Sequence, residues 1–234
     1  MPNKYLRLIF IVISIGFFQS SITAQKTQYD SPRQNGHDGD EHYLKPTAIV
    51  IPATLLLYSG LKPVIKGIHN LDERIYTHVQ NTYPDFHTNA EDYLIWVPSG
   101  SVYVMDAFSV PVKHPFKEHL ILDAGSILVT GGIGYGMRQL TKNSNEYTPF
   151  NTKFPSGHVA NAFRGAELFH QELKTASPVL SYGGYVIATT VGVLRILNKS
   201  HEFTQVLAGA GLGMLSTRLT YWIFNKVKYG KERM

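Results

Sequence analysis

The chain contains no cysteine, which excludes disulfide bonds, thiolate catalysis and thiolate metal ligands. Charged residues make up only 17% of the 234, and the net charge is a modest +5. No basic stripe interleaved with aromatic side chains occurs, so nucleic acid is not an expected partner. Strand signals are also weak. The protein must therefore be stabilised by apolar packing, by burial in a membrane, or by both.

The first 24 residues are typical of a secretory signal peptide. Two basic residues, Lys4 and Arg7, precede an apolar run over 8–18, and Ala24 offers a small residue for cleavage. The alternative is an uncleaved anchor helix. Residues 25–45 are polar and are expected to form a linker. We therefore expect an exported protein that faces the periplasm, either associated with the inner membrane or soluble.

The rest of the chain consists of apolar and amphipathic segments with helical spacing, separated by proline- and glycine-containing breaks. These segments are 48–61, 64–79, 93–110, 119–140, 158–173, 178–197 and 205–224. The pattern predicts an all-α fold, a helical bundle.

Three segments approach the length of about twenty residues that a helix needs to cross a bilayer. They are 119–137, 179–197 and 205–224. Two glycine pairs, Gly132 with Gly136 and Gly209 with Gly213, form faces that allow close approach of helices. The segment that begins at His158, however, carries four ionisable side chains and is too polar to face lipid alone. We expect a bundle that is partly embedded in a membrane; a soluble extracytoplasmic protein is the alternative.

The sequence Pro155-Ser156-Gly157 at the start of a predicted helix is suited to binding an anion. A helix N-terminus leaves backbone N–H groups without partners, and a phosphate can accept hydrogen bonds from them. Ser156 adds a hydroxyl, and Gly157 lets a ligand approach the backbone. The structural alternative is an ordinary helix start with a serine cap.

Two histidines and an arginine accompany this helix start. His158 follows Gly157 directly, while Arg195 and His201 lie downstream with five residues between them. Histidine can act as a nucleophile or as a general acid near neutral pH. The planar guanidinium of Arg195 matches the spacing of phosphate oxygens. This combination predicts a site that binds and cleaves a phosphate ester.

These residues resemble the type 2 phosphatidic acid phosphatase family, whose fold is shared with acid phosphatases and vanadium haloperoxidases. The family pattern is Lys-x6-Arg-Pro, then Pro-Ser-Gly-His, then Ser-Arg-x5-His-x3-Asp. The middle element is intact here, the Arg-x5-His spacing is kept, and Arg138 falls on the family's lysine. The resemblance spans residues 91–225, which places N-terminal helices at 46–90 and a basic tail at 226–234.

The resemblance implies a mechanism for each matched position. His201 would attack phosphorus and form a phosphohistidine, and His158 would protonate the leaving oxygen. The groups that would bind the phosphate oxygens are Arg138, Ser156, Gly157 and Arg195. The reaction would need neither a metal ion nor a cofactor. The implied substrate is a lipid phosphate such as phosphatidic acid, or a small phosphomonoester.

Two family positions are changed. Asn145 and Glu146 replace the family's Arg-Pro, which removes one cation. Gln205 replaces the aspartate that orients the nucleophilic histidine; its amide oxygen can accept a hydrogen bond but carries no negative charge. In a catalytic triad, a carboxylate-to-amide change costs roughly 10⁴ in turnover. A catalytically impaired homologue that keeps the phosphate pocket for binding is therefore the second hypothesis. A vanadate-dependent oxidase is less well supported, because Asn145 weakens the cationic pocket.

Overall fold

Helices form the secondary structure of residues 44–108, 110–141 and 154–229, which are the residues that the computed structural model describes. No strand occurs within these ranges, so the all-α prediction is confirmed. The helices are α1 (Pro46–Gly60), α2 (Lys66–Thr82), α3 (Ala90–Leu94), α4 (Val97–Ala107), α5 (Phe116–Thr141), α6 (Gly157–Leu173), α7 (Pro178–Ser181), α8 (Gly183–Leu197) and α9 (Phe203–Tyr229). The expected signal peptide, most of the linker, and Asn145 lie outside the described residues.

The predicted segments correspond to these helices, except that two of the segments each form two helices. The segment 93–110 separates into the short α3 and the longer α4, and Pro98 lies in the first turn of α4. A proline is tolerated there because its missing N–H would have no intrahelical partner. The segment 178–197 separates into α7 and α8 at Tyr182. At the other end of the chain, α9 continues to Tyr229, so the beginning of the expected tail is helical.

The centre of the bundle is formed by α6 and α9, and α9 also packs against α1 and α5. A Cβ atom on Gly209 would lie 2.6 Å from the carbonyl oxygen of Ser156, and one on Gly213 would lie even closer to that of Ala160. This glycine pair therefore brings the two backbones together, as the sequence predicts. A Cβ on Gly132 or Gly136 would meet nothing within 4 Å among the described atoms. Within the described ranges, the structure therefore shows no close helix approach at this second pair.

Three charged side chains of α6 are buried and paired, which explains how so polar a helix occupies the interior. The pairs are Arg164 with Asp123, Glu167 with Arg218, and Glu172 with both His114 and His119. Burial alone would raise the pKa of Glu172, but the hydrogen bonds from the two histidines outweigh it and hold that pKa well below its usual range. Buried charges are tolerated when they are paired in this way.

Two stretches of the described chain, Phe116–Thr141 and Pro178–Leu197, are long and apolar enough to cross a membrane. They carry exposed apolar side chains, including Leu128 and Val186. The third expected span, 205–224, is not one of these two stretches. It lies in α9, whose side chains are mostly buried against neighbouring helices, so this helix fills the bundle and presents little apolar surface outward. The fold is compatible with a membrane-associated bundle.

The two glycine pairs give a matched test of the packing between α6 and α9. We expect Gly213→Ala to lower the free energy of unfolding by roughly 1–3 kcal/mol or more, because its methyl group would overlap the α6 backbone. Gly132→Ala adds the same methyl group to open space and should be neutral or slightly stabilising. Thermal unfolding of both variants in the same detergent measures the difference. Equal unfolding temperatures would contradict the close approach.

Candidate active site

The start of α6 holds a buried serine that does not cap its helix. Ser156 occupies the N-cap position with an extended backbone, yet its side chain makes no capping hydrogen bond. The residue is fully buried, and its hydroxyl oxygen has no hydrogen-bond partner among the described residues. The alternative of an ordinary serine cap therefore does not account for this residue. A buried hydroxyl without a partner is costly, and such groups often mark a site of ligand binding.

Arg138 lies beside this helix start. It is in the last turn of α5, and its Nη2 atom is 3.9 Å from the position that a Cβ on Gly157 would take. The guanidinium therefore lies at van der Waals distance from the first turn of α6. Backbone N–H groups in that turn have no intrahelical acceptor. Positive charge and unpaired donors therefore coincide at this point of the fold.

The spacing between Arg195 and His201 is produced by the way α8 ends. Arg195 lies in the last turn of α8, and Lys199 adopts a left-handed conformation with φ of 54°. The chain then folds back, so that the N–H groups of Ser200 and His201 both donate to the carbonyl oxygen of Arg195, at 3.1 and 3.3 Å. His201 consequently sits beside the helix end that carries Arg195, and only 7% of the histidine is exposed.

Gln205 connects the part of the site at Ser156 with the part at His201. Its backbone carbonyl accepts the N–H of Ser156 at 3.1 Å, which connects the start of α9 to the start of α6. Its side-chain oxygen lies 2.8 Å from Nδ1 of His201. When this oxygen accepts the Nδ1–H, the lone pair of the imidazole is on Nε2. An amide can also turn its NH₂ group toward the ring, so Gln205 fixes this tautomer less firmly than a carboxylate would.

Two consecutive acidic residues in α3 contact the site, and sequence reasoning missed both. Glu91 accepts a hydrogen bond from Nη1 of Arg195 at 3.3 Å and is almost completely buried. Asp92 lies 2.9 Å from Nε2 of His158, in a partly exposed pair. Neither residue belongs to a motif that the sequence analysis used. The contacts arise only because α3 packs against α6 and α8.

Glu202, which follows His201 directly, is directed elsewhere. It pairs with Lys62, which also lies 3.1 Å from Asp72. Asp72 in turn accepts the backbone N–H of Thr204 at 3.0 Å and so caps the start of α9 from another helix. Burial alone would lower the pKa of Lys62, but the two carboxylates outweigh it and raise that pKa. Glu202 therefore does not replace the missing aspartate at His201.

The site residues that the sequence predicts lie where α5 and α8 end and where α6 and α9 begin. They include Arg138, Ser156, Gly157, Arg195, His201 and Gln205. His158 directly follows Gly157 and is held by Asp92. Asn145 is outside the described residues. The arrangement offers two guanidinium groups, a hydroxyl, helix N–H groups and two imidazoles, which is a set of groups suited to binding an oxyanion.

Known proteins share sequence features with this chain. A sequence model described as the PAP2 superfamily matches residues 77–229, well over half of the chain. The chain is similar to a lipid A 1-phosphatase of Porphyromonas gingivalis, with 35% identity over 140 residues, which is 59% of this chain. The match covers 31% of that relative, so the chain spans about a third of the relative's length.

Among solved structures, the fold is similar to a transmembrane PAP2 type phosphatidylglycerolphosphate phosphatase from Bacillus subtilis. The TM-score is 0.47 and the sequence identity is 19%. The match covers 76% of this chain and 98% of the solved chain.

Proposed function

This chain belongs to the PAP2 superfamily, and from this membership we propose that it is a phosphatase that hydrolyses the phosphomonoester of a membrane lipid. The reaction would proceed through a phosphohistidine and would need no metal ion or cofactor. The phosphatase domain is proposed to occupy residues 91–225, preceded by N-terminal helices at 46–90.

The observation that carries this proposal is the hydroxyl of Ser156, for which the described part of the chain provides no hydrogen-bond partner. It is completely buried at the start of α6, where the guanidinium of Arg138 lies beside the next residue, Gly157. The backbone N–H of Ser156 donates to the carbonyl oxygen of Gln205. A phosphoryl oxygen would accept the hydrogen bond that this hydroxyl lacks. The helix N–H groups and the cations would then neutralise the charge on the remaining oxygens.

In the proposed reaction, the Nε2 lone pair of His201 attacks phosphorus. The bond from phosphorus to the ester oxygen breaks, and His158 gives its proton to that oxygen as the alcohol leaves. His158 then takes a proton from a water molecule as the water attacks the phosphohistidine, which releases phosphate and restores His201. Arg195, Arg138 and the start of α6 stabilise the charge that moves onto the phosphoryl oxygens in both steps.

A lipid substrate outside the cytoplasm is favoured by three features. The relative with 35% identity acts on lipid A, a phosphorylated lipid. Two helical stretches are long and apolar enough to lie in a bilayer. The signal-peptide pattern in residues 1–24 indicates export. We therefore propose an inner-membrane-associated protein whose active site faces the periplasm and meets lipid headgroups.

The second candidate is a homologue that binds phosphate without efficient turnover. The side chain at 205 is neutral, and the two carboxylates of α3 contact Arg195 and His158. Both features reduce the positive charge available to the transition state. In this role, the pocket would hold a phosphorylated headgroup without cleaving it.

The test uses the full chain, purified in detergent, with phosphatidic acid, a lipid A 1-phosphate and a chromogenic phosphomonoester as separate substrates. We expect release of inorganic phosphate, faster from a lipid than from the soluble ester, and loss of release in Arg195→Ala. Arg74→Ala removes an exposed arginine from α2 and serves as the matched control. No release from any substrate, with phosphate binding that only Arg195→Ala abolishes, would favour the binding role instead.

A further inference from the structure

The guanidinium of Arg195 is anchored to α3 through its Nη1 atom. Nη1 donates to Oε1 of Glu91 at 3.3 Å, and the Nδ2 group of Asn198 donates to the same carboxylate oxygen. Asn198 is itself fixed by a reciprocal pair of hydrogen bonds with the backbone of Thr88, at 3.0 and 2.8 Å. Glu91 is only 2% exposed. The carboxylate is therefore a fixed point to which the end of Arg195 is attached.

The opposite edge of the guanidinium is formed by Nε and Nη2. The Nε atom of Arg195 is buried and has no hydrogen-bond partner in the part of the chain that the structure describes. An arginine can bind an oxyanion in bidentate fashion along its Nε–Nη2 edge, with two parallel hydrogen bonds. A contact at Nη1 leaves this edge intact. The burial of Nε means that bulk water does not replace the missing partner.

We propose that Glu91 is a positioning residue that holds Arg195 with its Nε–Nη2 edge ready to receive the phosphate. This inference rests on the proposed function of the site. Glu91 acts on the substrate only through Arg195. Its contribution is to restrict the side-chain rotamers of Arg195 before the anion arrives, so that less conformational entropy is lost on binding.

The negative charge of Glu91 should affect anion binding in the opposite direction to its positioning of Arg195, and this difference makes the inference testable. A carboxylate next to Arg195 lowers the local positive potential, so a role limited to charge predicts that removing Glu91 tightens anion binding. A role limited to folding predicts a lower unfolding temperature with unchanged affinity. The positioning role predicts weaker binding even though a negative charge has been removed. On removal of Glu91, the three accounts therefore predict tighter, unchanged and weaker phosphate binding, respectively.

The experiment measures the affinity of the full chain for inorganic phosphate by calorimetry, with thermal unfolding recorded for each variant. We expect Glu91→Ala to weaken phosphate binding by roughly two- to tenfold. Glu91→Gln should retain the affinity, because its amide oxygen still accepts the Nη1–H of Arg195. Glu73→Ala, which removes an exposed carboxylate from α2, controls for the change in net charge.

Unchanged or tighter binding in Glu91→Ala would overturn the inference and leave the proposed function standing. Absence of phosphate binding by the unmodified protein would instead overturn both. If Glu91→Ala does not fold, Glu91→Asp replaces it. Aspartate keeps the charge but is one carbon shorter, so it should also weaken binding, whereas unchanged affinity would contradict the positioning role.

Discussion

Replacing Gln205 with glutamate is expected to raise the turnover number by roughly 10²- to 10⁴-fold, the reverse of the loss that a carboxylate-to-amide change causes in a catalytic triad. Glutamate matches glutamine in length, so its oxygen can take the position that now lies 2.8 Å from Nδ1 of His201. The added charge would stabilise the imidazolium character that develops on His201 during attack. It would also enforce the tautomer with the lone pair on Nε2, because a carboxylate has no N–H to present.

The matched controls are Gln205→Leu and Glu202→Gln. Leucine removes the acceptor altogether and should lower any activity that the unmodified protein has. Glu202 is the carboxylate next to His201 in sequence but pairs with Lys62, so its neutralisation should leave turnover close to the unmodified value. Adding Asn145→Arg to Gln205→Glu tests whether the second changed position also limits the rate. A folded Gln205→Glu variant with an unchanged rate would show that the missing charge is not the limitation.

The second large effect is expected from His201→Ala, which should reduce turnover by at least about 10⁴-fold, the scale of loss when a catalytic nucleophile is removed. Phosphate binding should survive, because Arg138, Arg195, Ser156 and the start of α6 are all retained. In Arg195→Ala, by contrast, we expect the loss of phosphate binding to be the primary effect. The measurements are steady-state phosphate release and phosphate titration on the same preparations.

A His201→Ala variant that keeps most of its activity would assign the nucleophile to another residue. Loss of both activity and phosphate binding, with an unchanged unfolding temperature, would mean that His201 serves mainly to bind the anion. Either result would contradict the division of roles proposed for the two histidines and Arg195.

The helices and the site spacing could be predicted from the sequence because their causes are local. Apolar periodicity and the positions of proline and glycine determine where helices such as α6 and α8 form. The start of α6 at Gly157 follows directly from Pro155-Ser156-Gly157. The interval between Arg195 and His201 corresponds to a helix end and a chain reversal at Lys199, so a short motif is enough to bring both residues together.

The remaining features depend on tertiary packing, which no local pattern encodes. Glu91 and Asp92 belong to no motif that the sequence analysis used. They are 104 and 66 residues away in sequence from Arg195 and His158, respectively, and only the packing of α3 against α6 and α8 brings them into contact. In the same way, hydropathy does not reveal that the side chains of 205–224 are mostly buried by the packing of α9 against other helices.

The most direct test of the central claim is to locate the phosphoryl group during a single turnover. The full chain is mixed with a lipid phosphomonoester labelled at phosphorus, quenched rapidly in alkali to protect an acid-labile phosphohistidine, and digested for mass spectrometry. We expect the label on the peptide that contains His201, and no label in His201→Ala. Label on a different side chain, or turnover without any labelled peptide, would contradict the claim that His201 attacks phosphorus.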